Sequence, residues 1–574
     1  MSRHLFLLTV TPVQSFIRAA RKTQDLYGGS YILSHLCRVA IYKAKKNYNA
    51  KIIFPHTDLK SLPNRLLAVF DMENDEKLKD IGLDIEQTIL KEFSTMADQI
   101  ICSLDLPLHK DLSKQINNYF QVYWAFYPLE EKTYAEAYKQ IEDSLSSIKN
   151  VKRFNQLAEE GRKCTVTGEH NALYYKDNEE KSKKIKDAIP VHKRIPDKYL
   201  APGEALGGIA FVKRCADRFF GEEFNSKFPS TSRVALMDAL NKLAMKDSKY
   251  HDILDVEFDE QDIFNLKNGI NPVNDQLAEE VYEQLKTYKI TYSPYYAILL
   301  FDGDSMGTWL SGAKLKNGVV SLQEFHSQLS AKLGSFAKLA VEQVLVPPKG
   351  ITVYAGGDDF LGLVNISYLL EVMKELREQF EHTIDLSEFT DEKLSFSAGV
   401  AVAHYKTPLT EVLSWARRME KEAKRIDMSK DAFGLALLKH SGEINKSVYK
   451  WKCDGDWTTD LVNEFVSYIK NDFSSTFIRN FQFEFRPLMD DNGRLIPEKI
   501  SDDMVKGEMK RLIDRAYLEN NGIPKEQKRA EKEKKVNDFL ASLWKLYLSS
   551  RYFNNFLSLL DFAVFMEREV NDSA

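Results

Sequence analysis

Two separate parts of the chain share one rhythm, in which short apolar runs alternate with longer stretches of helical period. The first opens with His4–Val10 (HLFLLTV), a strand-length apolar run closed by Thr11–Pro12, where proline can begin a helix. Ser15–Asp25 predicts a helix, Gly28-Gly29-Ser30 a break, and Ile32–Lys45 a further helix. Ile52–Phe54 and Leu66–Phe70 read as two short strands, Glu76–Asn117 as mostly helical, and Tyr119–Tyr127 (YFQVYWAFY) as an aromatic strand. Strand, helices, strand pair, helix, strand is the order of a ferredoxin-like, or palm, domain.

The rhythm returns from Tyr295. Tyr296–Phe301 (YAILLF) predicts a buried strand and Leu322–Val344 a long helix. Gly350–Tyr354 and Phe360–Val364 are strands flanking a tight turn. Leu369–Phe380, Leu394–Val402, Leu409–Ile426 and Phe433–Leu438 follow as helix, strand, helix and final strand. The expected fold is therefore α+β and multidomain: a first palm over 1–150, a helical linking domain over 151–290, a second palm over 291–445 and a helical bundle over 446–574. Beyond Lys446 the period is almost wholly helical, ending in FLASLWKLYLSSRYFNNFLSLLDFAVFM.

Composition narrows this picture. The 79 Lys+Arg nearly cancel the 84 Asp+Glu, which excludes binding of polyanions by bulk charge and leaves only local patches. One such patch is Lys181, Lys183, Lys184, Lys186, Lys193 and Arg194, either a phosphate contact or a solvated loop; Lys525–Lys535 reads as a solvated helix face or loop rather than a nucleic-acid contact. Five dispersed cysteines argue against a disulfide framework and for a reducing, cytoplasmic setting. No signal peptide and no uninterrupted membrane-length apolar run are present.

The chemistry concentrates at Tyr354-Ala355-Gly356-Gly357-Asp358-Asp359-Phe360, between two apolar strands. Gly356 and Gly357 permit a tight turn, and the adjacent carboxylates of Asp358 and Asp359 repel each other unless a hard divalent cation sits between them. Asp302, in FDGDSMG directly after the strand Tyr296–Phe301, would approach them in a palm sheet. Three converging carboxylates suit a metal-assisted phosphoryl transfer, while either motif alone also fits an acidic surface turn. Gly303 and Gly307 would turn backbone N–H groups toward a triphosphate. Lys424, near the end of a helix, would neutralise phosphate charge or serve as an ordinary solvated lysine. Cys164, Thr167, Gly168, Glu169 and His170 have the form of half a zinc knuckle, too few ligands for zinc. His251-Asp252 stands alone. P-loop, HExxH and GxSxG motifs are missing.

Five segments occur in order: PVQSFIRAARKTQDLYGGSYILS at Pro12–Ser34, LPNRLLAVF at Leu62–Phe70, FDGDSMG at Phe301–Gly307, YAGGDDF at Tyr354–Phe360 and ALLKHSGE at Ala436–Glu443. In them the chain resembles the large subunit of type III CRISPR effector complexes, of the Cmr (III-B) branch. The resemblance implies two palms with a zinc-associated or helical domain between them, and partnership with CRISPR RNA, target RNA and other Cmr-type subunits. It implies that a GGDD palm, switched on by target RNA, joins ATP into cyclic oligoadenylate. Asp302, Asp358 and Asp359 would hold Mg²⁺ or Mn²⁺, with Gly356 and Gly357 shaping the turn under one nucleotide. Gln14, Ser15, Gly28, Gly29 and Ser30 would line a metal-free pocket for the second nucleotide in the first palm. Some members instead adenylylate S-adenosylmethionine. Many carry an N-terminal HD nuclease, whereas this sequence starts at the first palm, so no DNase activity is expected, and the zinc site looks eroded. A catalytically silent scaffold and a diguanylate cyclase with a GGDEF-like hairpin are the competing readings.

Overall fold

The structure is a computed structural model that describes residues 2–571 apart from 74, 130–132, 152–158, 178–183, 193, 226, 271–274, 317–320, 497–499 and 519–524. The first palm runs β1 (Ser2–Thr11), α1 (Gln14–Arg18), α2 (Thr23–Tyr48), β2 (Lys51–Phe54), β3 (Arg65–Met72), α3 (Leu78–Ser103), α4 (Leu112–Asn117), β4 (Gln121–Pro128) and α5 (Tyr134–Asn150). Its sheet order is β2-β3-β1-β4, all antiparallel, as the alternation of strands and helices predicts. β1 is buried from His4 to Val10 because it is central. Phe6 and Leu8 face the α2–α3 layer, and Leu5 and Leu7 face α5. α5 starts with a capping box in which Thr133 and Glu136 satisfy each other's backbone N–H groups.

Gly28-Gly29-Ser30 does not break the helix. α2 passes through all three, and the interruption falls earlier, at Ala19–Lys22. The glycines serve close packing. A Cβ on Gly28 would lie 2.3 Å from the Lys213 carbonyl oxygen, and one on Gly29 would lie 2.9 Å from the Lys213 side chain.

The linking region holds β5 (Tyr174–Tyr175), β6 (Ile189–Pro190), β7 (Ala205–Leu206), α6 (Gly208–Arg214), α7 (Asp217–Phe220), α8 (Thr231–Lys246), α9 (Glu260–Lys267) and α10 (Gln276–Thr287). It is thus not wholly helical: β6-β5-β7 form a small sheet, with strands too short to show a period of two. α6 clamps the first palm. Lys213 caps the end of α1 through the carbonyls of Phe16, Ile17 (3.3 Å) and Ala19 (2.7 Å). Arg214 binds Asp25 through two bonds of 2.7 and 2.8 Å and Glu204 at 2.7 Å, all buried. Burial alone would raise the Asp25 carboxyl, but Arg214 overrides it and holds it at about 2.

The second palm comprises β8 (Tyr295–Gly303), α11 (Met306–Leu310), α12 (Leu322–Leu339), β9 (Gly350–Ala355), β10 (Asp359–Asn365), α13 (Leu369–Thr383), β11 (Phe396–His404), α14 (Leu409–Ala423), β12 (Ala432–Leu438) and β13 (Ile444–Lys450). The sheet order is β13-β12-β11-β8-β10-β9. It has one strand more than the sequence predicts. β13 follows the supposed last strand, and its mostly polar residues (INKSVYK) suit a sheet edge but hide an apolar signal. After it come a small hairpin, β14 (Lys452–Cys453) and β15 (Asp456–Trp457), and the helices α15 (Thr458–Asn471), α16 (Thr476–Phe485), α17 (Asp502–Ala516), α18 (Lys525–Leu548) and α19 (Phe553–Asn571). Phe465, Phe481, Phe539 and Phe556 are in the buried core of that bundle. Among the described residues no helix is long and apolar enough to cross a membrane, and all five cysteines are free.

α14 lies on β11 and β12 with Leu409, Val412, Leu413, Ala416, Met419 and Ala423 inward. It comes so close that a Cβ on Gly399 would sit 1.9 Å from the Ala416 carbonyl oxygen. Gly399→Ala is expected to destabilise the fold by roughly 1–3 kcal/mol through overpacking, read as a lower midpoint of urea unfolding; an unchanged midpoint would disprove the close approach.

Candidate active site

The antiparallel register of β8 and β10 sets Asp302 directly opposite Asp359, and β11 places Ser397 on the other side of Asp302. Asp358 is one residue earlier, in the turn, where its carbonyl accepts a 2.8 Å bond from the Gly303 N–H. Three aspartates thus meet at one end of the sheet. Both glycines of the turn are needed. A Cβ on Gly356 would lie 1.8 Å from the Tyr354 hydroxyl, and Gly357 has φ +112°. A Cβ on Gly303 would meet Met306 at 2.8 Å and Asp358 at 3.2 Å, whereas Gly307 faces open space.

The charges are crowded. Burial and the neighbouring Asp302 push the Asp358 carboxyl from its usual 3.8 up to about 6. Burial, Asp358 and Asp302 drive Asp359 well above the ordinary range, and its buried Oδ1 has no hydrogen-bond partner. Lys424 bonds the Asp302 carboxylate and holds Glu420 at 3.0 Å. Burial opposes its charge, yet these two acids keep its ammonium above the ordinary lysine value. Among the described residues no three ligating groups are already drawn into a closed metal cage. The donor set nevertheless fits a hard divalent cation: oxygen donors in carboxylates that repel one another, one of them unpartnered. Asp304 is spent structurally, accepting from Ser395 and Ser397 at 2.8 Å and from the Asp431 N–H at 3.1 Å.

At the matching end of the first palm the opposed pair is Thr9 and Arg65, with Tyr123 beyond Thr9. Arg65 pairs with Glu142 of α5, and its charge acts across the seam on Asp358. Gln14 and Ser15 are exposed on α1, and Gln14 accepts a 3.0 Å bond from Arg417 of α14. Gly28 and Gly29 are buried against Lys213 of α6 and Ser30 is buried in α2, whereas Gln14 and Ser15 are exposed. Arg417, Glu420 and Arg65 were not legible as site residues. The signal for the first two was their i, i+3, i+7 spacing with Lys424.

The remaining sequence candidates lie apart. His251 and Asp252 form an exposed pair at 2.7 Å. The Cys164–His170 loop is tied by a backbone bond of 2.8 Å, and Glu159 lies 3.6 Å from His170. Lys184, Lys186 and Arg194 are exposed; Lys181, Lys183 and Lys193 lie outside the described residues.

The raised Asp358 carboxyl fixes a sign. Between about pH 4 and 6 the folded, metal-free chain holds a proton that the unfolded chain has released, so this group's stability contribution falls as pH rises through that window. In EDTA, Asp358→Asn is expected to match the wild-type melting temperature at pH 4 and to exceed it by a few degrees at pH 7. Parallel pH profiles for the two proteins would exclude the carboxylate repulsion.

Comparison with known proteins agrees with this layout. Residues 295–434 match the family description "Cas10/Cmr2, second palm domain", and residues 5–147 match "CRISPR-associated protein Cmr2, N-terminal". The chain is 24% identical over 555 residues to the CRISPR system Cmr subunit Cmr2 of Pyrococcus furiosus, covering 78% of this chain and 63% of that protein's length. A shorter stretch of 130 residues is 27% identical to the single-strand-specific deoxyribonuclease Cas10/Csm1 (subtype III-A) of Streptococcus thermophilus, 22% of this chain and 16% of that one. Its fold is similar to a chain of the type III-B Cmr-beta complex bound to cognate target RNA, with TM-score 0.69, 15% identity, and 99% of this chain and 83% of that chain covered. The apo state of Cmr-beta gives a TM-score of 0.66 at 14% identity, over 99% and 82%. Two palms in the same order, with the aspartates gathered on the second, place the chain in the Cmr2/Cas10 family of type III-B CRISPR large subunits.

Proposed function

We propose that the second palm is a metal-dependent nucleotidyltransferase that builds a nucleotide messenger from ATP, cyclic oligoadenylate being the leading product. In this reading the chain works as the large subunit of an RNA-guided complex with CRISPR RNA, target RNA and other Cmr-type subunits. The observation that carries the reading is the opposition of Asp302 and Asp359 at one strand end, with Asp358 in the adjoining turn and an Asp359 oxygen left without a partner. A scaffold gains nothing from acids that repel one another at a half-buried sheet end.

Asp302, Asp358 and Asp359 would hold Mg²⁺ or Mn²⁺. Such an ion supplies charge neutralisation on the phosphates and a lowered pKa for the attacking hydroxyl. The protein's own groups do the positioning. The turn after β8 presents Gly307, free of neighbours within 4 Å, to a donor nucleotide, whereas the Gly303 N–H expected to join it is engaged by the Asp358 carbonyl. Lys424 balances Asp302 in the resting chain and, released from it, becomes a cation for the phosphates. Gln14 and Ser15 on α1 face the same seam and orient the acceptor, which converts an encounter of two nucleotides into reaction within one assembly.

The test is mass spectrometry of products from the assembled complex with guide, matching target RNA, ATP and Mg²⁺ or Mn²⁺, with and without S-adenosylmethionine. Cyclic oligoadenylate is expected, lost in Asp358→Ala/Asp359→Ala. An adenylyl conjugate formed only with S-adenosylmethionine would keep the transferase and change the acceptor. Consumption of GTP in place of ATP would point to the diguanylate cyclase reading, and no metal-dependent product at all would leave the scaffold.

A further inference from the structure

Most charged groups along the palm seam are neutralised by a neighbour. Arg65 has Glu142, Arg418 has Glu422, and Lys424 has Asp302 and Glu420. Two guanidiniums break the pattern. Gln14 and Arg18 are one turn apart on α1 and so share a face, and Gln14 is bonded to Arg417 of α14 at 3.0 Å. That bond brings Arg18 of the first palm beside Arg417 of the second. Neither forms an ion pair with a carboxylate among the described residues. Burial, and after it the Arg18 charge, push the half-buried Arg417 below its ordinary value against the opposing pull of Glu420 and Asp359. A guanidinium stays protonated regardless, so the repulsion persists in the free protein. It ends when an anion sits between the two forks, which match planar or tetrahedral oxyanions in bidentate fashion.

We propose that Arg18 and Arg417 form an oxyanion site astride the seam that binds the group carried at the 5′ side of the acceptor nucleoside. The placement suits this role. Arg417 is seven residues before Lys424 on α14, about 10 Å along the axis, and Lys424 is on Asp302. One ligand can therefore set its anionic end at the arginines and its ribose hydroxyls at the carboxylates. This deepens the transferase reading and rests on it for the word acceptor, but the anion site itself needs no catalysis. Two acceptors offer the required oxyanion: the 5′-triphosphate of ATP, and the methionine carboxylate of S-adenosylmethionine. An acceptor bound here also bridges α1 and α14, so its arrival tightens the two palms.

The test is equilibrium binding to the full chain in EDTA, where no transfer occurs. The probes are ATP, inorganic tripolyphosphate, S-adenosylmethionine and adenosine. Arg417→Gln and Arg18→Gln should each weaken the oxyanion probe that wild type binds by tenfold or more, with Arg18→Lys retaining part of the affinity and adenosine unaffected. A loss on ATP and tripolyphosphate identifies the phosphate, and a loss on S-adenosylmethionine identifies the carboxylate. In an Asp358→Ala/Asp359→Ala background, which leaves both arginines in place, adding Arg417→Gln should lower oxyanion affinity by the same factor as in wild type, which separates this site from failure of the transfer chemistry. Since Arg18 is unpaired, Arg18→Gln should melt no lower than wild type. Oxyanion affinities within twofold of wild type, an equal loss for adenosine, no oxyanion binding by wild type, or a clear fall in the Arg18→Gln melting temperature would each overturn the proposal.

Discussion

Mutual repulsion of three carboxylates at the end of β8 and β10 is the constraint around which the second palm is arranged. It follows from register alone: once β8 and β10 pair antiparallel along their backbones, Asp302 and Asp359 have no freedom to avoid each other. Gly356 and Gly303 bring the backbone in close and shut out the side chains that would dilute the charge. Lys424 relieves one acid of the three, and Asp304, which sequence proximity would add to the cluster, is removed from it by Ser395 and Ser397. What remains is a half-buried anionic point with the Asp359 Oδ1 left without a hydrogen-bond partner.

The two palms keep one topology and divide the chemistry by substitution at matching register positions. Asp302 and Asp359 in the second are Thr9 and Arg65 in the first. The guanidinium that stands for an acid at the same strand end, paired with Glu142, leaves the first palm one oxygen donor short there.

The apolar periodicity made both palm sheets legible, because central strands such as His4–Val10 and Tyr296–Phe301 are buried on both faces and announce themselves as unbroken runs. The GGDD turn was legible for the same reason, a short polar interruption between two such runs. Edge strand β13 was not, since an edge carries polar residues that dilute the pattern. The Gly28-Gly29 reading failed for a different reason. A glycine allows both a helix break and a close helix contact, and only the position of Lys213, far along the chain, decides between them. Arg18, Arg417 and Glu420 were hidden because ordinary surface helices carry the same residues at the same spacing. Their meaning comes from the opposing palm.

That dependence on the opposing palm runs through α1. Its five residues are too few to hold a helix by propensity, and its end is fixed from outside, by Lys213 on the carbonyls of Phe16, Ile17 and Ala19 and by Arg214 on Asp25 at the start of α2. The linking region therefore sets where Gln14 and Arg18 stand, and through Gln14 it sets their relation to Arg417 and the acids beyond. Burial lowers the Lys213 ammonium to about 7, with Asp25 opposing it, so this tie between α6 and α1 is the least comfortable charge in the linking region. The linking region and the seam are thus joined through single side chains, Lys213 and Arg214 to the ends of α1 and α2 and Gln14 to Arg417.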